Sequence, residues 1–521
     1  MDETGSRTTA AAMNRELHDF PGGLHLQTWK HLTDRIVSIQ HPLPERIILP
    51  LQQHIGIPSR PLVGIGERVL KGQTIARADG YVSIPLHAST SGTVINIGDY
   101  PVAHPVERKA PCIVIEPDGR DEWFDMRPIR EYASVDPLEL QAVIRECGIT
   151  GLGGAGFPTH VKINEGVDNA VEMLIINGVE CEPWITCDDR LIQEKAGYIV
   201  AGTRMIRRAV KARQCVIAVE DDMPAAYREL EKHIDDDIEL VSVPTRYPAG
   251  GEKQLIKVIT GKEVPSGGLP IHAGIVMQNV ATAAAVYRAV TRGEPVVSRY
   301  VTVTGNVQTP RNLQVLLGTP AIDCLKACGF EPESQQRIIL GGPMMGMHIQ
   351  SQDIPVVKTT NCLLVEDDKP RPPAMPCIRC GACADICPVK LQPQELYRHA
   401  KTDDLTGSQH YHLFDCIECG CCATVCPSHI PLVRYYRYAK SRIAEEERRR
   451  SGADRSRTRF LARQERIQRQ SGYGPAAPES APAEQPQARD EKKAFIREAV
   501  ERSRARRRRR NDESAGDKDN D

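Results

Sequence analysis

Residues 377–388 read CIRCGACADICP, and residues 416–427 read CIECGCCATVCP. Both runs place four cysteines at the spacing C-x2-C-x2-C-x3-C, and both end in Cys-Pro. The chain has 17 cysteines in 521 residues, and such dense, repeated spacing is a poor disulfide framework in a protein of this length. The two runs therefore predict metal ligation by reduced thiolates.

Two metal chemistries compete for these cysteines. Zinc usually takes its four ligands from two C-x-x-C pairs, which does not account for two matched four-cysteine runs. In the iron–sulfur alternative, three thiolates of a run bind one [4Fe–4S] cluster, and the fourth, before the proline, binds the other cluster. This spacing predicts one cluster on Cys377, Cys380, Cys383 and Cys426 and a second on Cys387, Cys416, Cys419 and Cys422. Cys421 falls outside this register, so we interpret it as a bystander.

Composition narrows the function classes. A net charge of −1 and a pI of about 6.9 give no global field for nucleic acid. Hydrophobic residues make up 40% and aromatic residues 5%, which predicts mainly aliphatic cores. The first residues, Met1 to Leu17, are polar, and an apolar run of about 18 residues is absent from the sequence. We therefore expect a chain on the cytosolic side, without a secretory signal or a spanning helix.

The length predicts roughly three or four domains of about 150 residues each. We expect a multidomain α/β plus β fold, because strand-and-turn patterns come first and alternating helix and strand patterns follow Asp136. Asp136 as an N-cap with Pro137 at the first position predicts a helix start, and the apolar runs 173–176 and 215–219 predict strands. The predicted domains are a barrel-sandwich-like β domain (20–130), an α/β domain (131–295), a β-grasp-like module (296–345), a ferredoxin-like α+β domain for the two clusters (366–440), and a charged, largely disordered tail (441–521).

The β domain resembles the barrel-sandwich fold of biotinyl and lipoyl carriers. The resemblance lies in VLKGQTI at Val69–Ile75 and SGTV at Ser91–Val94. Those carriers present a lysine on a hairpin, whereas the corresponding segment here, Ile84–Thr90, has none. We interpret the domain as a structural use of this fold.

A glycine-rich segment, GLGGAGFPT, occupies residues 151–159. It does not match the dinucleotide fingerprint G-x-G-x-x-G, because a predicted helix precedes it in place of a strand. Two interpretations remain from the residues alone. The segment is either a tight turn or a loop whose backbone N–H groups contact a phosphate or a flat ring.

Other segments support the second interpretation. GLGGAGFPTHVK (151–162) resembles the flavin-site motif of the 51 kDa NADH-oxidising subunit of respiratory complex I. NGVECEP (177–183), YPAGGEK (247–253) and QNV (278–280) resemble later motifs of that family. Together with the N-terminal β domain and the two cysteine runs, their order resembles the C subunits of Rnf (Rsx) electron transport complexes over about residues 20–440.

This resemblance implies a non-covalent FMN site with an NADH site over the flavin ring. The implied flavin contacts are Gly151, Gly153, Gly154, Gly156, Lys162, Asn177, Glu180 and Asn279, and the implied NADH contacts are Phe157 and Glu182. The chain departs from the family pattern at two positions: Val179 replaces an aspartate, and Lys253 replaces a second glutamate.

The resemblance also implies a function. The chain would be a peripheral subunit on the cytoplasmic face of the inner membrane, bound to embedded and peripheral partner subunits. It would carry electrons between NADH and ferredoxin through FMN and two [4Fe–4S] clusters, coupled to ion translocation. The alternatives are a soluble FMN and iron–sulfur NADH diaphorase without ion coupling, and an electron-relay scaffold with a degenerate flavin loop.

The tail has charge patterns of its own. Glu445–Glu447 before Arg448–Arg450 predicts helical charge pairs, and arginines dominate residues 502–510. We expect either a solvated extension or an electrostatic tether to an anionic membrane surface. Nucleic-acid binding is disfavoured, because aromatic residues do not alternate with these arginines.

Overall fold

The computed structural model describes residues 15–104, 108–168, 170–331, 336–368, 370 and 372–470. The chain divides into two compact units, Met1–Ile443 and Ala444–Asp521. Within the described residues, none of the helices combines the length and apolarity needed to cross a membrane.

The β domain confirms the predicted strand-and-turn pattern. The first strand of the chain, β1 (Ile39–Gln40), joins another sheet. The strands of the β domain are β2 (Ile47–Pro50), β3 (Arg60–Pro61), β4 (Arg68–Val69), β5 (Thr74–Arg77), β6 (Leu86–His87), β7 (Gly92–Val102) and β8 (Arg108–Pro117). They form two antiparallel sheets, in the orders β2-β8-β7-β4 and β3-β5-β6. Aliphatic side chains such as Ile47, Ile75 and Ile113 are fully buried in the core of this domain, as expected for a core poor in aromatic residues.

The α/β domain is built on a parallel sheet. Its elements are α1 (Pro137–Glu146), α2 (Thr159–Asp168), β9 (Met173–Gly178), α3 (Cys187–Val210), β10 (Gln214–Glu220), α4 (Pro224–Glu231), β11 (Glu239–Val243), α5 (Glu252–Thr260), β12 (Ile275–Asn279) and α6 (Val280–Arg292). The strand order is β11-β10-β9-β12, and all three pairings are parallel. The order reverses beside β9, so the carboxyl ends of β9 and β12 form the crevice where such sheets bind ligands.

The helix α1 begins where the sequence predicts. The Asp136 carboxylate accepts a hydrogen bond from the backbone N–H of Leu138 at 2.7 Å, and Pro137 occupies the first helical position. This cap satisfies one of the backbone donors that a helix start leaves without an intrahelical partner. The helix leads directly into the glycine-rich loop.

A third sheet extends beyond the predicted β-grasp-like module. Its elements are β13 (Ser298–Gly305), β14 (Arg311–Leu316), α7 (Ala321–Ala327), β15 (Gln336–Leu340), β16 (Met347–Ile349) and β17 (Cys362–Asp367), and the strand order is β1-β14-β13-β17-β15-β16. β17 lies between β13 and β15, with Cys362–Val365 buried. The module therefore continues past residue 345, because its central strand comes last in the sequence.

The cysteine domain differs from the α+β expectation. Its helices are α8 (Ala382–Asp385), α9 (Pro393–Lys401), α10 (Leu405–His410), α11 (Cys421–Thr424) and the start of α12 (Leu432–Gln470). Residues 372–443 contain helices and turns but no strand. The segment between the two cysteine runs forms helices, and Pro393 stands at a helix start, a position that favours proline.

The expectation of disorder from residue 441 is wrong for residues 441–470, which continue α12. Glu445 pairs with Arg449 and Glu446 with Arg450, each at 3.9 Å and four residues apart. Such pairs each stabilise an exposed helix by about 0.3–0.5 kcal/mol. Residues 471–521, with the arginine-rich segment, lie outside the described residues.

Candidate functional site

Two asparagines lie side by side at the carboxyl edge of the parallel sheet. Asn177 of β9 and Asn279 of β12 are partners in the strand register. The Asn177 amide donates to the Gly250 carbonyl at 2.9 Å and accepts from the Val179 N–H at 2.9 Å. Asn279 caps α6 by accepting from the Ala281 N–H at 2.8 Å. The crevice therefore brings together two residues that the sequence assigns to the flavin.

The glycine-rich loop closes on itself above this crevice. The Gly151 N–H donates to the Phe157 carbonyl at 2.8 Å, and the Leu152 N–H donates to the Thr282 hydroxyl of α6 at 3.0 Å. A Cβ at Gly153 would lie 3.2 Å from Asn279, so the loop approaches the asparagine pair closely. The loop is thus fixed at its base by α6.

The middle of the loop is open. Gly154 has a φ of +103°, and a Cβ there would meet no protein atom within 4 Å. Gly156 has a φ of +68°, and its Cβ would lie 2.7 Å from the Thr359 methyl group. Glycine is required at both positions for backbone conformation. Residues 153–155 are exposed, so the backbone at Gly154, which we call the glycine cradle, faces open space that a side chain would occupy and that leaves room for a flat cofactor.

Glu180 is directed into the protein. Its carboxylate accepts from the N–H groups of Asp188 and Asp189, at 3.0 and 3.1 Å, at the start of α3. Burial and the nearby Asp188 charge raise the pKa of Glu180 well above its usual range. The side chain therefore serves as a helix cap in this structure, one of the roles that such a residue commonly takes.

Glu182 is also engaged within the protein. One of its oxygens accepts from the backbone N–H groups of Met344 and Met345 at 2.8 and 2.9 Å. Burial raises the pKa of Glu182, and these two hydrogen bonds partly oppose the rise. The residue thus anchors the loop between β15 and β16 to the α/β domain.

The remaining two predicted residues, Lys162 and Phe157, are partly exposed. The Lys162 ammonium of α2 pairs with the Glu252 carboxylate of α5 at 2.6 Å, and both side chains are partly exposed. Phe157 is half-buried at the end of the glycine-rich loop. Glu252 belongs to the YPAGGEK segment, so this ion pair brings two of the resembling motifs together.

The sequence did not reveal the support beneath the glycine-rich loop. Arg299 of β13 donates to the Leu152 carbonyl at 3.3 Å and to the Lys358 carbonyl. The Lys358 ammonium donates to the Gly148 carbonyl at 2.6 Å, and its burial lowers its pKa to about 7. Both basic residues come from the third sheet and its connections, and only the fold brings them to the loop.

The eight cysteines line two separate pockets, each with four cysteines from both runs. One pocket, which we call the inner pocket, is lined by Cys387, Cys416, Cys419 and Cys422. The other, the outer pocket, is lined by Cys377, Cys380, Cys383 and Cys426. The crossed arrangement is the one that the spacing predicts.

The chemistry of the donors fits iron–sulfur clusters. Each pocket offers four thiols, which is the ligand set of a [4Fe–4S] cluster. The Leu391 N–H points to the Cys387 sulfur at 3.4 Å, a contact typical of backbone around cluster sulfurs. Cys421 is fully buried beside Tyr247 and does not line either pocket.

The two pockets differ in exposure. Cys387, Cys419 and Cys422 of the inner pocket are buried, whereas Cys377 and Cys380 of the outer pocket are exposed. The hydroxyl of Tyr247, from the α/β domain, donates to the Cys419 carbonyl at 2.6 Å. The inner pocket therefore faces the α/β domain, and the outer pocket faces the surface.

Family models match the chain in the same order as these domains. They are the RnfC barrel sandwich hybrid domain over residues 18–120, the Nuo51 FMN-binding domain over 144–288, the SLBB domain over 300–348 and the 4Fe-4S dicluster domain over 376–430. A solved structure of an NAD+-reducing [NiFe]-hydrogenase in the H2-reduced state is 19% identical, with a TM-score of 0.43 over 60% of this chain and 64% of its own.

The curated relatives are C subunits of ion-translocating oxidoreductase complexes. The chain is 44% identical to that of Pseudomonas aeruginosa over 87% of its own length and 59% of the relative. It is 42% identical to that of Yersinia enterocolitica over 88% and 67%, and 41% identical to that of Vibrio cholerae over 77% and 52%. The chain thus spans between about half and two thirds of these relatives' length. By these matches, the chain belongs to the family of C subunits of ion-translocating oxidoreductase complexes.

Proposed function

We propose that this chain is the electron-input subunit of a membrane-bound complex that transfers electrons between NADH and ferredoxin and couples the transfer to ion translocation. The observation that carries the proposal is the presence, in one compact unit, of a sheet-edge crevice under a glycine cradle and two four-cysteine pockets. Bound FMN would supply the conversion between two-electron hydride chemistry and one-electron transfer.

The chain's own residues have distinct parts in this proposal. The loop from Gly151 to Gly156 would hold the flavin, with Asn177 and Asn279 at the sheet edge beneath it. Lys162, which is partly exposed and paired with Glu252, would face the flavin ring or its phosphate, and Phe157 would stack on the nicotinamide side. Because Glu180 and Glu182 already accept backbone hydrogen bonds, they would act here by holding α3 and the Met344 loop in place.

Exposure sets the proposed order of the clusters. The inner pocket contacts the α/β domain through Tyr247, so its cluster would receive electrons from the flavin. The outer pocket has two exposed cysteines, so its cluster would exchange electrons with a partner. The partner's docking surface would then include Ile378, which is 68% exposed between two of those cysteines.

Anaerobic purification followed by NADH titration tests this proposal. We expect non-covalent FMN released by acid, about eight irons per chain, and flavin bleaching followed by cluster reduction. Protein without flavin, or with zinc in place of iron, would contradict it. Purification from membranes with and without detergent then distinguishes the two candidate functions. A subunit of a membrane complex should elute together with integral membrane subunits, whereas a soluble diaphorase should elute alone.

A further inference from the structure

The FPGGLHL segment, Phe20–Leu26, has no role in the function proposed so far. The sequence assigns it to the β domain, but the structure places it between the α/β domain and the cysteine domain. Leu24 and Tyr247 exchange two backbone hydrogen bonds, at 2.7 and 2.8 Å. The N–H of Gly23 donates to the carbonyl of Ile386, the residue before the ligand Cys387, at 2.9 Å.

Gly22 fits tightly against the same cysteine run. It has a φ of +59°, and a Cβ there would lie 2.2 Å from the Ile386 carbonyl oxygen and 2.8 Å from the Cys387 carbonyl carbon. These are backbone atoms of Ile386 and Cys387, which cannot move aside as a flexible side chain can. Only glycine therefore permits this contact between Phe20–Leu26 and the inner pocket.

Tyr247 completes the contact from the α/β side. Its ring is 3% exposed and packs with Cys419, Cys421 and Met344 in one apolar cluster. Its hydroxyl donates to the carbonyl of Cys419, a residue that lines the inner pocket. Three residues further along the chain, the Gly250 carbonyl accepts from Asn177 at the crevice. The backbone between these two contacts spans about 11 Å at most.

Two further contacts hold the same face. Glu182 binds the Met344 and Met345 N–H groups, and a Cβ at Gly420 would lie 2.9 Å from the Met344 carbonyl oxygen. The Ser266 hydroxyl donates to Asp415, just before the second cysteine run, at 2.5 Å. The inner pocket is thus fixed to the α/β domain from several sides.

We propose that Phe20–Leu26 and Tyr247 form an inter-domain clamp that sets the position of the inner cluster relative to the flavin crevice, with Tyr247 as a positioning residue for electron transfer. The inference rests on the proposed function for its electron donor. In the step concerned, one electron passes from NADH-reduced flavin to the oxidised inner cluster, and no covalent bond forms or breaks.

The test compares two variants with two matched controls in the full-length holoprotein. Tyr247→Phe removes the hydroxyl but keeps the ring. Tyr300→Phe is its control, because the Tyr300 hydroxyl donates to the Glu194 carboxylate at 3.1 Å and Tyr300 does not line either pocket. Gly22→Ala disturbs the clamp, and Gly66→Ala is its control, because Gly66 has a φ of +87° with no protein atom within 4 Å of a Cβ.

Rapid mixing with NADH separates flavin bleaching from cluster reduction. For Tyr247→Phe and Gly22→Ala we expect full flavin and iron, unchanged bleaching, and several-fold slower cluster reduction. Tyr247→Phe should also lower the midpoint potential of the inner cluster, because the positive end of the hydroxyl dipole no longer faces its ligand. Both controls should retain wild-type rates.

Amide hydrogen exchange tests the clamp without any redox step. Loss of one buried hydrogen bond should make residues 384–387 and 416–420 exchange about fivefold to tenfold faster in Tyr247→Phe than in Tyr300→Phe. Wild-type exchange and wild-type cluster reduction in both clamp variants would overturn the proposal. If wild-type protein lacks flavin bleaching with NADH, the proposed function fails, and the exchange measurement still decides on the clamp.

Discussion

Gly154 provides a test of the flavin cradle at the level of one residue. A Cβ there would meet no protein atom within 4 Å, so the side chain of a valine would occupy the space over the loop. We expect Gly154→Val to abolish FMN binding while both clusters are retained. Flavin released by acid and iron content are the measurements.

The φ of +103° adds strain of about 1–2 kcal/mol for any branched side chain at Gly154. Gly66→Val is the matched control, because Gly66 has a similar φ and equally open surroundings in the β domain. It should lose comparable stability but keep the flavin. One flavin per chain in Gly154→Val would place the site elsewhere.

His54 gives a prediction for pH. It is buried at the junction of the β domain with the loop that carries Lys358, and burial together with the Lys358 charge lowers its pKa to about 4. An unfolded histidine has a pKa of about 6.5, so between these values the unfolded chain binds a proton that the folded chain does not. The contribution of His54 to the free energy of unfolding is therefore lost as pH falls below about 6.5.

Between pH 6.5 and pH 5, we expect the free energy of unfolding of the wild type to fall by about 1–2 kcal/mol more than that of His54→Gln. The melting temperature of His54→Gln should therefore vary less steeply with pH than that of the wild type. The slope is the relevant quantity, because the substitution also removes hydrogen bonds. His429→Gln, at an exposed position, serves as control. Parallel slopes for His54→Gln and the wild type would show that His54 does not carry this dependence.

The structure brings the predicted loop and the two predicted asparagines together, but the motifs did not determine what each side chain contacts. Glu180 and Glu182 stand in a motif that the family resemblance links to cofactors, yet their hydrogen-bond partners are backbone groups of α3 and of the Met344 loop. The Glu182 partners, Met344 and Met345, lie 162 and 163 residues away in the sequence. Such distant contacts depend on tertiary packing, and a local sequence pattern does not contain that information.

At the level of elements, each cysteine run contributes to both pockets. Substitutions of two cysteines that are close in one run should therefore affect different clusters. Cys383 lines the outer pocket, and Cys387, four residues later, lines the inner pocket. We expect either change to alanine to lower iron from about eight to about four per chain. Cys383→Ala should leave the inner cluster reducible by NADH, whereas Cys387→Ala should also prevent reduction of the outer cluster.

Electron paramagnetic resonance after NADH addition measures this difference. Cys421→Ala is the control, because Cys421 does not line either pocket, and it should keep both signals. Identical spectra for Cys383→Ala and Cys387→Ala would contradict the two-pocket assignment.

Local patterns predicted those elements whose signals lie within a few residues. The cap at Asp136 gave α1, and the apolar runs gave β9 and β10. The same reasoning did not place β17 in the third sheet, because β17 comes after β16 in the chain but lies at the centre of the sheet. The assignment of Phe20–Leu26 to the β domain agrees with the family model over residues 18–120, but it gave no sign that Leu24 pairs with Tyr247, more than two hundred residues later. Both pairings join distant segments.

For the whole molecule, the boundary between the two compact units falls between Ile443 and Ala444 in the sequence. This boundary predicts where the tail can be removed. Tyr436, Ala439 and Ile443 of α12 are buried in the core of the cysteine domain, and Arg442 pairs with Asp403 at 3.2 Å. Beyond Ile443, the described residues up to 467 are mostly exposed. A chain that ends at Ile443 should therefore keep its flavin, both clusters and NADH oxidation.

A chain that ends at Lys440 is the informative comparison, because it lacks only three further residues. The buried Ile443 side chain contributes about 1.5–3 kcal/mol to the free energy of unfolding, and the shorter chain lacks this contribution. It also lacks the ion pair between Arg442 and Asp403. We expect the shorter chain to lose iron at a lower temperature, and both truncations to leave membranes at lower salt if the tail is an electrostatic tether. Cluster loss from the chain that ends at Ile443 would instead mean that residues after 443 stabilise the cysteine domain. Equal salt release of full-length and truncated chains would assign membrane retention to the folded domains, where the outer pocket is exposed.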